Sequence, residues 1–409
     1  MNLLHLAWLN MWRNKRRTGI TLASVAFGFW LAAAFIGTRE HTYTRLVDQA
    51  ARLGSGHISI MSQHGLNSPG PAFALSGMNR DLMASLLRLP DVAGVYPRLI
   101  GNGIVGNAEK SSGVTYIAID PASELAEHNI FLTGLADPSS VLRDNKVALG
   151  SGLAVRLGAK KDDRLVLTLT DRTGAVSSHL AIVGGMFTSG NEDADQVVLL
   201  ARRDFLQPLL QLGPDEVTVV AVYAKAFHQI DRLHVAIKHQ LENPPQVVVD
   251  WKRTHRDLAQ FIRYDSAVYR ILIFFIGVII AAGILNTLVL ALIERRREFG
   301  VMTALGIAPT RMFGLIVCEG VLIGVIGLIC GGLSFYPVYL YLNQYGLDLT
   351  GLLSETINAG GISIPFVMYC ELSLSHLGAI GGVVLALTVV ASLFPAWKAA
   401  RTMPVRSLS

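Results

Sequence analysis

Ile271–Ile293 reads ILIFFIGVIIAAGILNTLVLALI, an apolar run without a single charge, and the next five residues, Glu294-Arg295-Arg296-Arg297-Glu298, are all charged. A run of about 20 apolar residues is long enough to cross the hydrocarbon core of a bilayer as a helix. Arginines crowded at one end mark the end that stays in the cytoplasm. Its main polar interruptions are Asn286 and Thr287. Working outward, three more segments qualify. Ile20–Gly37 follows Arg13, Lys15, Arg16 and Arg17; Phe313–Leu342 is long enough to tilt or to break near Pro337; Leu377–Ala396 ends at Pro395 and Trp397.

Lys and Arg fall on alternate sides of these segments. The connection 294–312 carries Arg295, Arg296, Arg297 and Arg311, and the tail carries Lys398, Arg401 and Arg406. The connection 343–376 has none, and its acidic residues are Asp348, Glu355 and Glu371. Both termini of this multi-pass chain are therefore expected in the cytoplasm, with 40–265 outside. The sequence predicts an interfacial helix over 1–17 and spans over 18–38, 267–293, 313–342 and 377–396. A cytoplasmic loop over 294–312, an outer loop over 343–376 and a cytoplasmic tail over 397–409 complete it, with a large periplasmic domain over 39–266. Basic residues followed by an apolar run and Ala32-Ala33-Ala34 also describe a cleaved signal segment. Trp8 and Trp12 suit a helix lying in the membrane interface, so a retained first span is expected.

Composition agrees. The chain of 409 residues is 51% hydrophobic and 16% charged, against about 25% charged for a soluble domain. The net charge of +5 sits largely beside the apolar runs, where topology accounts for it, and nucleic acid is not an expected partner. Three cysteines, Cys318, Cys330 and Cys370, form neither a disulfide framework nor a metal set. The stretch 40–265 has none, which suits an oxidising compartment.

That stretch reads as α+β, with two lobes one reading of it. Strand-like runs are 57–61, 114–120, 164–170, 196–200 and 217–224. Helical spacing marks 81–89, 203–212 and 227–241, the last with Phe227, Ile230, Val235 and Ile237 as apolar contacts. Turn clusters lie at 67–71 and 185–193. A polar helix over 251–269 is expected to run into the second span, either as a connector or as a rod that carries motion.

Several motifs tempt and fail. Gly101-x-Gly103-x-x-Gly106 matches the dinucleotide fingerprint, but 107–113 is turn chemistry where a helix is needed, so a glycine-rich loop is expected. No Gly-x-x-x-x-Gly-Lys-Ser/Thr phosphate loop occurs, so this chain is not an ATP-hydrolysing subunit by that route. The histidines are scattered, and Asp162-Asp163 and Glu192-Asp193-x-Asp195 read as solvated turns. Nothing makes a case for catalysis or for a metal.

Small residues inside the spans say more. Gly320-x-x-x-Gly324 and Gly327-x-x-x-Gly331 on the third span, and Gly277-x-x-x-Ala281 on the second, let helix backbones approach closely. The pattern does not separate packing within the chain from dimerisation. Glu319 is costly at the bilayer centre. It is expected near the cytoplasmic interface, neutralised or against protein, in a helix contact rather than a proton-coupling site.

The connection Glu294-Arg295-Arg296-Arg297-Glu298-Phe299-Gly300-Val301-Met302-Thr303-Ala304-Leu305-Gly306 resembles the Glu-Arg-x-x-Glu-Ile-Gly-Ile-Leu-Arg-Ala-Leu-Gly signature of FtsX-like ABC permeases. Phe299 replaces the usual Ile, and Thr303 stands where Arg is common. The tail Phe394-Pro395-Ala396-Trp397-Lys398-Ala399-Ala400-Arg401-x-x-Pro404-Val405 is similar to the family's closing motif, and Asn286-Thr287 and Glu319-Gly320 also sit where the family often has such residues. Ala148–Ala154 with Leu157-Gly158, and Ser189–Asp195, resemble the lipoprotein-releasing branch. The resemblance implies a coupling helix, about Glu298 to Leu305, seated in a groove of a separate cytoplasmic ABC ATPase. Two copies of that ATPase, which binds the ATP and Mg, would serve a pair of permeases, identical or paralogous; this chain itself would hold no cofactor. Membrane lipids and a periplasmic adaptor or carrier complete the implied partners. The implied cargo is a lipoprotein or other lipophilic molecule. Efflux of drugs, peptides or siderophores, or regulation of a periplasmic cell-wall hydrolase, are the alternatives.

Overall fold

The computed structural model describes residues 3–66, 70–241, 246–348, 357–359, 362–364 and 367–401. The turn expected at 67–71 and the tail motif from 402 onward lie partly outside these residues. Contacts divide the chain into two units, one of 1–42, 264–351 and 367–409, the other of 43–263 and 352–366.

Among the described residues, four helices are long and apolar enough to cross a membrane. They lie within helices Lys15–Ala50, Arg256–Glu294, Pro309–Gln344 and Leu374–Ala400, and an N-terminal helix Leu3–Arg13 precedes them. In the membrane unit Val25, Phe29, Ala33, Ile280, Ile284, Ile323, Ile380 and Val384 are buried together. The third span runs through Pro337 without ending. Within a span a proline removes one backbone donor, and neighbouring groups take up the freed carbonyl.

The glycine pairs of the third span are used inside the chain. A Cβ on Gly320 would meet Ser392 and one on Gly324 would meet Thr388 at 2.8 Å, both on the fourth span. Gly327 faces Val25 and Gly331 faces the Ala26 backbone at 3.0 Å, both on the first span. Gly277 faces Leu387 at 3.1 Å. Without side chains here, backbones pack closely where lipid offers no hydrophobic drive between helices. The first and second spans are joined by a hydroxyl pair, Thr21 Oγ1 and Thr287 Oγ1 at 2.6 Å. Asn286, one residue earlier, is exposed.

Among the described residues the outer domain is built on one sheet of nine strands. They are β1 (Ile58–Ser62), β2 (Val92–Gly106), β3 (Ser111–Ile119), β4 (Lys146–Gly150), β5 (Arg164–Thr170), β6 (Val176–Phe187), β7 (Val198–Arg202), β8 (Val219–Ala224) and β9 (Gln246–Asp250). The pairings β2–β3, β3–β7, β7–β4, β4–β6, β6–β5 and β5–β2 close on themselves. The result is a six-stranded barrel without an edge, which removes the hazard of unpaired backbone. The first half of β2 leaves the barrel and pairs with β8, which continues through β1 to β9. Two lobes thus share one strand.

This corrects the reading of Gly101, Gly103 and Gly106 as a loop: all three lie within β2. A Cβ on Gly103 would sit 2.9 Å from the Thr168 carbonyl, and one on Gly106 2.9 Å from that of Lys110. Glycine in a strand marks such close approaches. The cluster at 185–193 likewise opens inside β6, which ends at Phe187. On helix Ile230–Gln240 the buried face is Ile230, Leu233 and Ile237, while Val235 is exposed. Asp195 is buried rather than solvated and accepts from the Ser189 amide and hydroxyl, the latter at 2.7 Å.

The first-span helix continues to Ala50 because Tyr43, Leu46, Val47 and Ala50 join the outer domain's core. The polar helix expected over 251–269 is broken at His255, between Trp251–Thr254 and Arg256–Glu294. There the backbone is non-helical and the His255 ring meets Ser55 Oγ at 2.8 Å.

Candidate functional site

The helix Arg296–Ala304 lies between the second and third spans. Gly306 ends the turn after it with φ +84°, and Ile307 N donates to Met302 O at 3.1 Å. A left-handed residue after the helix satisfies carbonyls that the helix leaves open, and glycine adopts it without strain. The residues expected to couple to an ATPase are sorted onto two faces. Phe299 is 1% exposed and packs with Ala7, Leu292, Met312, Leu315 and Ala396; Arg295 and Gly300 are also buried. Glu294, Arg296, Arg297, Ala304, Leu305 and Gly306 are exposed, and Glu298 is half-buried. Leu305 at 77% and Val301 at 47% present an apolar surface one helical turn apart.

Ion pairs hold the buried side in place. Arg295 Nε donates to Glu298 Oε2 at 3.0 Å, and Arg295 Nη1 lies 3.6 Å from Glu319 Oε2. Its guanidinium also sits 5.2 Å from the centre of the Phe299 ring. Glu319 is thus buried against an arginine at the basic end of its helix. Two further arginines, read from sequence only as topology charges, belong to the same cluster. Arg13 donates to Glu298, and Arg17 Nη1 donates to Glu294 Oε2 at 2.7 Å. Hydrogen bonds from Arg13 hold the Glu298 carboxyl below the ordinary carboxylate range, with Arg295 adding to the effect. The arrangement has no nucleophile–base pair; it can clamp a helix and present one face of it.

The two outer-domain motifs meet each other. Gly150, at the end of β4, lies so close to the Asp195 backbone that no Cβ would fit, and Arg156 Nη2 donates to Gln196 Oε1 at 2.7 Å. Ser151, Gly152, Val155, Arg156 and Gln196 line an open depression of about 400 Å³.

Residues 270–404 match the family model described as FtsX-like permease C-terminal. The lipoprotein-releasing system transmembrane protein LolC of Xylella fastidiosa is 24% identical over 269 residues, 64% of this chain and 64% of that protein. The pyoverdine export ATP-binding/permease protein PvdT of Pseudomonas fluorescens is 23% identical over 98% of this chain and 58% of its own length. The chain thus spans less than two thirds of the length of either relative. The periplasmic region of MacB from Actinobacillus actinomycetemcomitans aligns with 48% of this chain and 90% of its own, at 11% identity and a TM-score of 0.32. With its signature helix between two of the spans, the stretch 270–404 belongs to the FtsX-like permease family.

Proposed function

We propose that this chain is the membrane subunit of an ATP-driven ABC transporter. A separate cytoplasmic ATPase, binding ATP and Mg, docks on helix Arg296–Ala304, and its closure is passed through the spans to the outer domain. The observation that carries this reading is the two-sided helix. One face is locked by Phe299 and the Arg13–Glu298–Arg295 cluster, and the other offers Val301, Ala304 and Leu305 to a partner. Two copies of the ATPase and a second permease complete the assembly. The cargo is a lipoprotein or another lipophilic molecule taken from the membrane, and siderophore export fits the same architecture. The relatives' names support both cargo classes, since one releases lipoproteins and the other exports pyoverdine.

The test is affinity purification of the tagged chain from native membranes in mild detergent, comparing wild type with Ala304→Arg. Ala304 is exposed, so the variant should insert normally. It should lose the co-purifying ATPase at least tenfold, because a buried unpaired charge at an interface costs several kcal/mol. Equal recovery of ATPase by both proteins sinks the docking assignment. Lipoprotein retained with the complex selects release; a siderophore selects export.

A further inference from the structure

One of the two arginines on Glu298 comes from the N-terminal helix, and that helix carries an apolar face of its own. Ala7 and Met11 are buried against the membrane unit, whereas Leu4, Trp8 and Trp12, each four residues apart, are exposed in one stripe. The two indoles stand edge to face, 5.9 Å apart. Beyond the helix, Lys15 and Arg16 are exposed and make no ion pair among the described residues, in contrast to Arg13 and Arg17. The apolar run of the first span starts only a few residues later, at Ile20.

The occupant follows from this chemistry. Indoles favour the headgroup level of a bilayer, where one end of the ring is apolar and the other wet. The stripe leads directly into a membrane span, so a bilayer surface is the continuous neighbour of this face. Two uncommitted cations beside it select anionic over zwitterionic headgroups, each contributing through the negative potential of an anionic leaflet. Thr18 Oγ1 donates to Met11 O at 2.6 Å across the bend between the helices, so anchoring one fixes Arg13 relative to the span.

We propose that Leu4, Trp8, Trp12, Lys15 and Arg16 form a site for anionic phospholipid headgroups, whose occupancy holds Arg13 on Glu298 and so steadies the docking helix. The lipid site stands on its own geometry; its effect on docking rests on the ATPase reading above.

The full chain is reconstituted, with and without its ATPase partner, in vesicles of phosphatidylcholine alone or with phosphatidylglycerol at one lipid in three. Tryptophan quenching by brominated phosphatidylglycerol is compared with quenching by brominated phosphatidylcholine, and Trp8→Phe/Trp12→Phe isolates the share of these two rings. The expected result is preferential quenching by the anionic lipid. Lys15→Gln/Arg16→Gln should weaken that preference about fivefold per cation removed. Arg13 and Arg17 remain in this variant to keep the orientation. Equal quenching by both lipids in the wild type overturns the site. With the ATPase present, phosphatidylglycerol should strengthen its association severalfold in the wild type and not in Arg13→Gln. A lipid preference with unchanged association overturns the link to Glu298. Absence of ATPase binding in every bilayer overturns the docking reading, while quenching still decides the lipid site.

Discussion

Arg98 in the outer domain and Arg295 in the membrane unit both face glutamates, and they are built in opposite ways. Arg98 is 0% exposed and its partner Glu124 is almost as deep. Its Nη1 also reaches Gly54 O at 2.5 Å and Tyr223 Oη at 3.2 Å and Nη2 reaches His128 O, leaving Nε without a hydrogen-bond partner among the described residues, while Asn129 Nδ2 donates to Glu124 at 2.8 Å. Arg295 instead shares Glu298 with Arg13, itself well exposed, and faces Glu319 at 3.6 Å. A buried pair offsets its desolvation through close geometry and further hydrogen bonds, and breaking it strands a charge. Exposed pairs contribute about 0–1 kcal/mol and re-form readily. The first arrangement fixes one shape around the turn where the first-span helix enters the outer domain. The second combines a buried pair, Arg295 with Glu319, and an exposed one, Arg13 with Glu298, so one side of the short helix is held firmly while its link to the N-terminal helix can be exchanged.

The largest effect should come from Arg98→Met, which leaves Glu124 charged and buried. It should cost about 3–5 kcal/mol, read as earlier thermal loss of protease resistance in the outer domain of the membrane-inserted chain. Arg98→Met/Glu124→Leu should recover most of that loss. If the double variant is no better than the single one, Arg98 acts through packing and the contrast with Arg295 fails.

Acid should separate the two regions. Burial pushes His255 down to about 4, while an unfolded histidine titrates near 6.5. Between those values the unfolded chain binds a proton that the native one refuses. The contribution is therefore intact above about pH 6.5 and is lost as pH falls towards 4. The loss is at most about 3 kcal/mol, and less to the extent that one side of the ring keeps contact with solvent. Glu298 is depressed by Arg13 and Arg295, so its contribution is present above the ordinary carboxylate range and disappears only as pH falls through its lowered value. At pH 5 the outer domain should be weakened and the Glu298 cluster whole. Unfolding followed against pH checks this, and His255→Gln should flatten the slope between pH 4 and 6.5.

The smallest effect sharpens the comparison most. A double-mutant cycle on Arg13→Gln and Glu298→Gln should return a coupling below about 1 kcal/mol. A value above about 2 kcal/mol would put this exposed pair in the same class as Arg98–Glu124.

The spans were legible from sequence because their signal is local: an apolar run carries its own length. The short helix after the second span was expected only through the resemblance of 294–306 to a family signature, and the structure has Arg296–Ala304 there. The outer domain was not legible in this way, although its strand β5 fell where alternation placed it. β2 is rich in glycine, and the reason lies in the Thr168 carbonyl and the Tyr116 ring, which only the folded barrel brings near. Arg98 looks like any strand arginine until Glu124, Tyr223 and Gly54 surround it. The clamp on Glu298 was hidden by separation, since Arg13 lies 285 residues earlier. The glycines of the third span stood out by their spacing of four, but which helices they face is seen only from the positions of Thr388, Ser392, Val25 and Ala26.

The place of β1 in the sheet bears on how the protein is made. It is synthesised before the other eight strands, yet among the described residues it pairs with β8 and β9 alone. Roughly 160 residues separate the end of β1 from the start of β8, so at about 5–20 residues per second the strand waits roughly 10–30 s for a partner. Throughout that interval its apolar side chains, Ile58 and Ile60 on one face and Met61 on the other, have no sheet to join. Its sheet can close only when the polypeptide leading into the second span is itself being synthesised. Assembly of that sheet is therefore tied in time to insertion of the next helix, and the nascent domain has to be kept from sticking elsewhere until then.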